Sequence, residues 1–140
     1  MAHRGFSLDG LENSMAAFQA AVDLGYRYVE TDTHATSDGV AVAVHDADLD
    51  RVTDSTGRIA ELPWRTVSRA RIAGREPIPR LDEVLHAWPT LRLNIDVKSD
   101  AAVGPTVAAI ERCRAHDRVC IGSFSDRRRR DVVRRLSRPV

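Results

Sequence analysis

Apolar positions along this chain follow two periods. Tyr26–Thr31, Val40–Val44, Leu91–Lys98 (LRLNIDVK) and Val119–Phe124 are short apolar or alternating runs that read as strands. In LRLNIDVK, Leu93, Ile95 and Val97 share one face, while Asn94, Asp96 and Lys98 share the other. Between these runs the spacing changes to three and four. SMAAFQAAVDL carries Met15, Phe18 and Val22 on one stripe, with Asn13 or Ser14 as cap and Gly25 as stop. Pro63–Ile72 reads as a short helix opened by proline. Leu81–Trp88, about Pro105–Arg114, and an arginine-rich segment from a Ser125 or Asp126 cap to about Leu136 complete the helices. Asp46–Gly57 is an ordered polar loop. With Met1–Gly5 counted as a strand there are five. Their alternation with helices predicts an α/β domain of parallel strands and helical crossovers, and the one place for a tight hairpin is Gly39.

Composition narrows the partners. With 140 residues, 43% of them hydrophobic, the chain can bury one core and reads as one domain over residues 1–140. The 21 Lys and Arg balance the 20 Asp and Glu, so net charge favours no partner. Arginines crowd the last helix without interleaved aromatic residues, which reads as a solvated face and not as a nucleic-acid site. No apolar run approaches the ~18 residues that span a bilayer, and no leader pattern opens the chain, so the expectation is a cytoplasmic protein with no membrane span. Cys113 and Cys120 lack metal-type spacing and read as reduced thiols.

The strand ends carry groups that a core would not choose. The first apolar run closes on Glu30 and Asp32, which project side by side about 7 Å apart. Adjacent carboxylates repel unless a proton or cation sits between them, so a hard metal ion is expected there, with His45 nearby. His3 and Arg4, then Asp96 and Lys98, lie at or near the ends of other strands. In parallel α/β folds the carboxyl ends of strands build the active site. Lys98 alone could be a salt bridge to Asp96, and Asp46 could orient His45 or cap the following turn. His34 reads as a loop histidine and His86 as a helix-surface one.

The ordered series His3-Arg4-Gly5, Glu12-Asn13-Ser14, Glu30-x-Asp32, His45-Asp46, Leu49-Asp50-Arg51-Val52-Thr53, Ile78-Pro79-x-Leu81-x-Glu83-Val84-Leu85, Asn94-Ile95-Asp96-Val97-Lys98 and Ser123-Phe124 resembles the glycerophosphodiester phosphodiesterases. The resemblance implies a TIM-type (β/α) barrel, a divalent cation (Ca2+ or Mg2+), and cleavage of glycerophosphodiesters to glycerol 3-phosphate and an alcohol. Carried over by position, it implies Glu30, Asp32 and Asp96 as metal ligands, His3 and His45 as the acid–base pair, and Arg4 and Lys98 facing the phosphate. It further implies a pathway in which the substrate's own glycerol hydroxyl attacks to give a cyclic phosphate.

Three departures from the family pattern stand out. Asp96 replaces the usual Glu, Leu11 replaces a Pro, and about five βα units of eight are present, so the barrel is incomplete. Two other readings share these residues. One is an inert barrel fragment that needs a partner or missing strands to fold, with self-association through open sheet edges. The other is a phosphodiesterase of the phospholipase D/sphingomyelinase-like kind, in which an aspartate can be the third ligand.

Overall fold

The chain is built around one strand, β2 (Tyr28–Ala35), which is buried along all but its first residue. The computed structural model describes residues 1–7 and 9–140. Before β2 come β1 (Ala2–His3) and α1 (Met15–Asp23); after it comes β3 (Ala41–Ala43). Then follow α2 (Trp64–Val67), the small strands β4 (Arg71–Ile72) and β5 (Glu76–Pro77), and α3 (Leu81–Ala87). The chain finishes with β6 (Arg92–Val97), α4 (Val103–Cys113), β7 (Val119–Gly122) and α5 (Asp126–Arg135). Among the described residues the main sheet runs β1-β2-β6-β7, all parallel.

The Val40–Val44 run is not a further parallel strand. β3 returns antiparallel along the end of β2, pairing Thr33 with Ala43 and Ala35 with Ala41. The connection explains this. A parallel crossover needs a dozen or more residues, whereas here Thr36 N–H bonds Val40 O across a turn with Gly39 at φ +79°. The fifth strand is therefore the return arm of a hairpin, and the barrel-type sheet has four.

Sheet alternation sorts the strands cleanly. Val29, Leu93, Ile95, Val97, Val119 and Ile121 point under the helices and join Phe18, Leu81, Leu85 and Ile110 in the main core. The opposite face carries Tyr28, Glu30, Asp32, Asn94 and Asp96, and it is open at its lower end, where Tyr28, Arg92 and Cys120 are exposed. A second cluster, with Val42, Leu49, Ile59, Val67 and Ile78, supports the excursion between β3 and α3. The proline-opened helix is thus only four residues long, because Ile72 turns into the β4–β5 hairpin that joins this cluster.

The helix caps follow sequence chemistry. Ser14 caps α1 by accepting from Ala17 N–H at 3.1 Å, and Ser125 caps α5 by accepting from Arg128 N–H at 3.3 Å. Gly5 lets β1 turn against α1: at φ +80° an added Cβ would lie 2.7 Å from the Ala17 carbonyl carbon. The arginines of α5 pair largely with Asp126, Asp131 and Asp100. Arg128 is more than a solvated charge, since it also donates to Val97 O at 3.2 Å and ties α5 to β6. Among the described residues no helix is long and apolar enough to cross a membrane.

Candidate active site

Strand register sets the site in two levels. His3 pairs with Glu30, and Glu30 with Asn94; one residue pair higher, Asp32 pairs with Asp96, and Asp96 with Gly122. His3, Arg4, Glu30, Asp32, His45, Asp96 and Lys98 all line one cavity of about 420 Å³ at the carboxyl ends of the strands. All seven residues singled out in the sequence therefore share one pocket. Ser123 and the exposed Phe124 form its rim, and the Lys98 Nζ lies 5.3 Å from the Phe124 ring centroid.

Asp32 is the most enclosed charge, with a side chain 2% exposed. An isolated carboxylate so placed would cost several kcal/mol. Two cations and one hydrogen-bond donor offset this: Arg4 Nε at 3.1 Å and Lys98 Nζ at 3.4 Å pair with it by charge, and Asn13 Nδ2 donates at 3.0 Å. Asn13 also accepts from Thr31 Oγ1 at 2.8 Å, so its amide is oriented from both ends. The sequence offers Asn13 as a helix cap and within the Glu12-Asn13-Ser14 motif; Ser14 takes the cap, and Asn13 holds Asp32 instead. Lys98 also donates to Asp96 Oδ2 at 3.1 Å, so the strand-end salt bridge forms within the cavity.

Glu30 is buried too, and its partners are weaker. Arg4 N–H donates to Oε2 at 3.0 Å, and His3 Nε2 stands 3.8 Å away. Burial, then the neighbouring Asp32, push its pKa above the ordinary carboxylate value.

The β2–β3 hairpin delivers the second histidine. Because Val44 N–H bonds Asp32 O at 3.1 Å, the chain returns to the level of Asp32 and places His45 over the cavity. His34 lies on β2 and not in a loop; its Nε2 is 3.1 Å from His45 O. Burial pushes the His34 imidazole below its usual pKa, so the neutral ring donates to that carbonyl. On the ring side, His45 Nδ1 is 2.6 Å from Asp46 Oδ1. An ionised carboxylate only accepts, so Nδ1 carries the proton and Nε2 is left for the cavity. The open choice for Asp46 is thereby resolved: it orients His45.

Asp46 is held well below the usual carboxylate range, first by its hydrogen bonds from Arg51, with partial burial opposing and the His45 bond adding. A carboxyl depressed in this way contributes stability that is complete above its unfolded value of 3.8 and is lost as pH falls through the folded value. Asp46→Asn is expected to melt below the unmodified protein at pH 7, with the gap closing as pH drops below about 4. A gap that is the same at every pH would show that the ion pair is not its cause.

Among the described residues no three His, Cys, Asp or Glu side chains already stand as a metal-holding group. The reason is local, because Lys98 lies between Asp32 and Asp96 and supplies the positive charge there. The donors nonetheless fit a hard divalent cation in their chemistry. Glu30, Asp32 and Asp96 offer only oxygen, Asp96 Oδ1 is buried without a hydrogen-bond partner, and burial and Asp32 outweigh the positive neighbours of Glu30.

Half of a parallel barrel, with carboxylates, two histidines and two basic side chains at its carboxyl mouth, defines a (β/α)-barrel class with a charged site at the strand ends. The chain belongs to the glycerophosphoryl diester phosphodiesterase family, whose model matches residues 3–137. It is 51% identical over its whole length to a probable glycerophosphodiester phosphodiesterase 2 of Mycobacterium tuberculosis, of which it covers 53%. The fold superposes on a glycerophosphodiester phosphodiesterase of Agrobacterium tumefaciens with a TM-score of 0.85 at 28% identity, over 94% of this chain and 60% of that one. It also superposes on an Oleispira antarctica phosphodiesterase solved with the product sn-glycerol-3-phosphate, with a TM-score of 0.82 at 26% identity, over 89% of this chain and 57% of that one. The chain thus spans little more than half the length of these relatives, and the shared fold is a TIM barrel of which it forms the described part.

Proposed function

We propose that the chain carries the phosphate-cleaving half-site of a glycerophosphodiester phosphodiesterase, hydrolysing glycerophosphodiesters to glycerol 3-phosphate and an alcohol. The observation that carries this reading is the convergence of His3, His45, Arg4, Lys98 and three carboxylates on one cavity, with strand register placing Asp32 beside Asp96. Arg4 offers a planar fork and Lys98 a point charge to the non-bridging phosphate oxygens. His3, 72% exposed and beside Glu30, takes the proton of the attacking hydroxyl. The oxygen–phosphorus bond to the leaving alcohol breaks, and His45, entering this step with both ring nitrogens protonated, gives its Nε2 proton to that alkoxide and returns to the Nδ1–H form. Where the attacking hydroxyl is the substrate's own, this step leaves a cyclic phosphate, His3 protonated and His45 with Nε2 free. Water then attacks the phosphorus, His45 Nε2 takes its proton, and His3 gives its proton to the glycerol oxygen as the ring opens. The sum is diester plus water to glycerol 3-phosphate plus alcohol, and both histidines return to their starting states. Glu30, Asp32 and Asp96 would hold a divalent cation, calcium or magnesium, which polarises a phosphoryl oxygen and offsets its developing charge. The unpaired edges of β1 and β7 and the exposed lower face support self-association of the half-barrel.

The test is release of glycerol 3-phosphate from glycerophosphocholine by the 140-residue chain. Turnover is expected with calcium or magnesium, none in EDTA, and recovery on re-addition of the ion. Equal turnover with and without EDTA would overturn the metal-assisted reading, and turnover of sphingomyelin alone would move the chain to the sphingomyelinase-like class.

A further inference from the structure

Neither Glu12 nor Arg51 lines the cavity, yet both belong to an ordered network that reaches it from two sides. Arg51 Nε donates to Asp46 Oδ2 at 2.6 Å and Nη2 donates to Asp46 Oδ1 at 2.9 Å, a forked pair on the carboxylate that holds His45. The same Nη2 donates to Glu12 Oε1 at 2.7 Å, and Arg4 Nη1 donates to that Oε1 at 3.2 Å. One carboxylate oxygen therefore accepts from the arginine beside His3 and from the arginine behind His45. The segments involved are far apart in sequence, with Glu12 and Arg51 separated by 39 positions.

From this geometry we infer that Glu12 is a positioning residue that couples the two histidine-bearing segments, fixing the Arg4 side directly and the His45 ring through Arg51 and Asp46. The inference rests on the reading of His3 and His45 as the acid–base pair. The packing supports it. The Arg51 fork engages both oxygens of Asp46, and one of these, Oδ1, also stands 2.6 Å from His45 Nδ1, so the guanidinium fixes the carboxylate that meets the ring. An isolated half-exposed ion pair contributes little to stability, but a bidentate arginine shared between two carboxylates fixes direction. Lysine in place of Arg51 has no fork and cannot hold Asp46 and Glu12 together. Arg51 is also an implausible phosphate ligand, since both ends of its guanidinium are already engaged. Burial pushes the Glu12 pKa up, but the hydrogen bond and charge of Arg51 and the charge of Arg4 outweigh it, so the group is held ionised.

The experiment is ring nitrogen NMR of the full chain labelled in histidine, with His45 assigned by its loss in His45→Gln. The unmodified protein is expected to hold His45 as the Nδ1–H form. In Glu12→Ala and Arg51→Met the ratio of Nε2–H to Nδ1–H forms is expected to rise about tenfold, the worth of one well-aligned hydrogen bond. The double variant is expected to match Arg51→Met alone, because Glu12 acts on this ring through Arg51. Arg51→Lys is expected not to restore the ratio. Glu12→Gln, nearly isosteric, carries the same expectation if Glu12→Ala lacks a cooperative melt. An unchanged ratio in both Glu12 variants, additive effects in the double variant, or full rescue by Arg51→Lys would each overturn the inference. Lack of turnover by the unmodified chain counts against the proposed reaction alone, since the ring signature is read without substrate.

Discussion

Replacing His45 by alanine is expected to cost roughly 10²–10⁴-fold in kcat on glycerophosphocholine while leaving cation affinity unchanged. The expectation comes from where the ring points. Asp46 occupies Nδ1 at 2.6 Å and His34 holds the backbone carbonyl, so Nε2 is left for the cavity, and among the described residues the ion pair of His45 is with Asp46 and not with the proposed metal set. An acid so placed matters only when a poor leaving group must be protonated. From the p-nitrophenyl ester of glycerol 3-phosphate the leaving group, p-nitrophenolate, departs without a proton, so His45→Ala is expected to lose far less on that substrate than on glycerophosphocholine. His3→Ala is expected to lose as much on both, because a base is needed whatever leaves. The reverse pattern would exchange the two roles. Equal losses of turnover and cation binding in His45→Ala would move this residue into the ligand set.

Alternation made most of the scaffold legible. The two-residue period of LRLNIDVK put Asn94, Asp96 and Lys98 on one face, and β6 buries its other face as that period requires. Helix stripes and caps were equally local, since Ser14 and Ser125 act within three residues of themselves. The direction of β3 was not assigned, although the connection from Thr36 to Val40 is too short for a crossover. Alternation alone says nothing about strand direction; loop length does. The same hairpin extends β2 to Ala35, which is why His34 lies on a strand, buried, and not in a loop.

The supporting network was harder to read, because its partners are distant in the chain. Asn13 reaches Asp32 over 19 positions, and Arg51 reaches Glu12 over 39. Such contacts depend on the packing angle of α1 against the sheet, which hydropathy does not encode. Arg128 hid for another reason. It sits in a run of four arginines, and only the fold distinguishes the one that bonds Val97 O from neighbours that face water.

Calcium or magnesium is expected to raise the melting temperature of the chain, and Glu30→Gln to abolish the rise. A ligand that binds only the folded state stabilises it by about 2.7 kcal/mol at a hundredfold excess over Kd, worth roughly 6–10 °C in a domain of this size. Glu30 is the informative position because its charge is the least compensated of the three: burial and Asp32 oppose it, whereas Asp32 already has Arg4 and Lys98. Without metal, Glu30→Gln is therefore expected to melt no lower than the unmodified protein, since the amide removes a disfavoured charge and keeps the shape. With metal, the order reverses. Asp32→Asn, by contrast, is expected to melt lower even in EDTA, because it strips the shared acceptor from two cations. A cooperative melt that ignores the ion in every variant would show that Arg4 and Lys98 suffice to neutralise Asp32 and Asp96 in this chain. No cooperative melt at all would show that a four-stranded half-barrel with β1 and β7 unpaired needs further strands before its site can form.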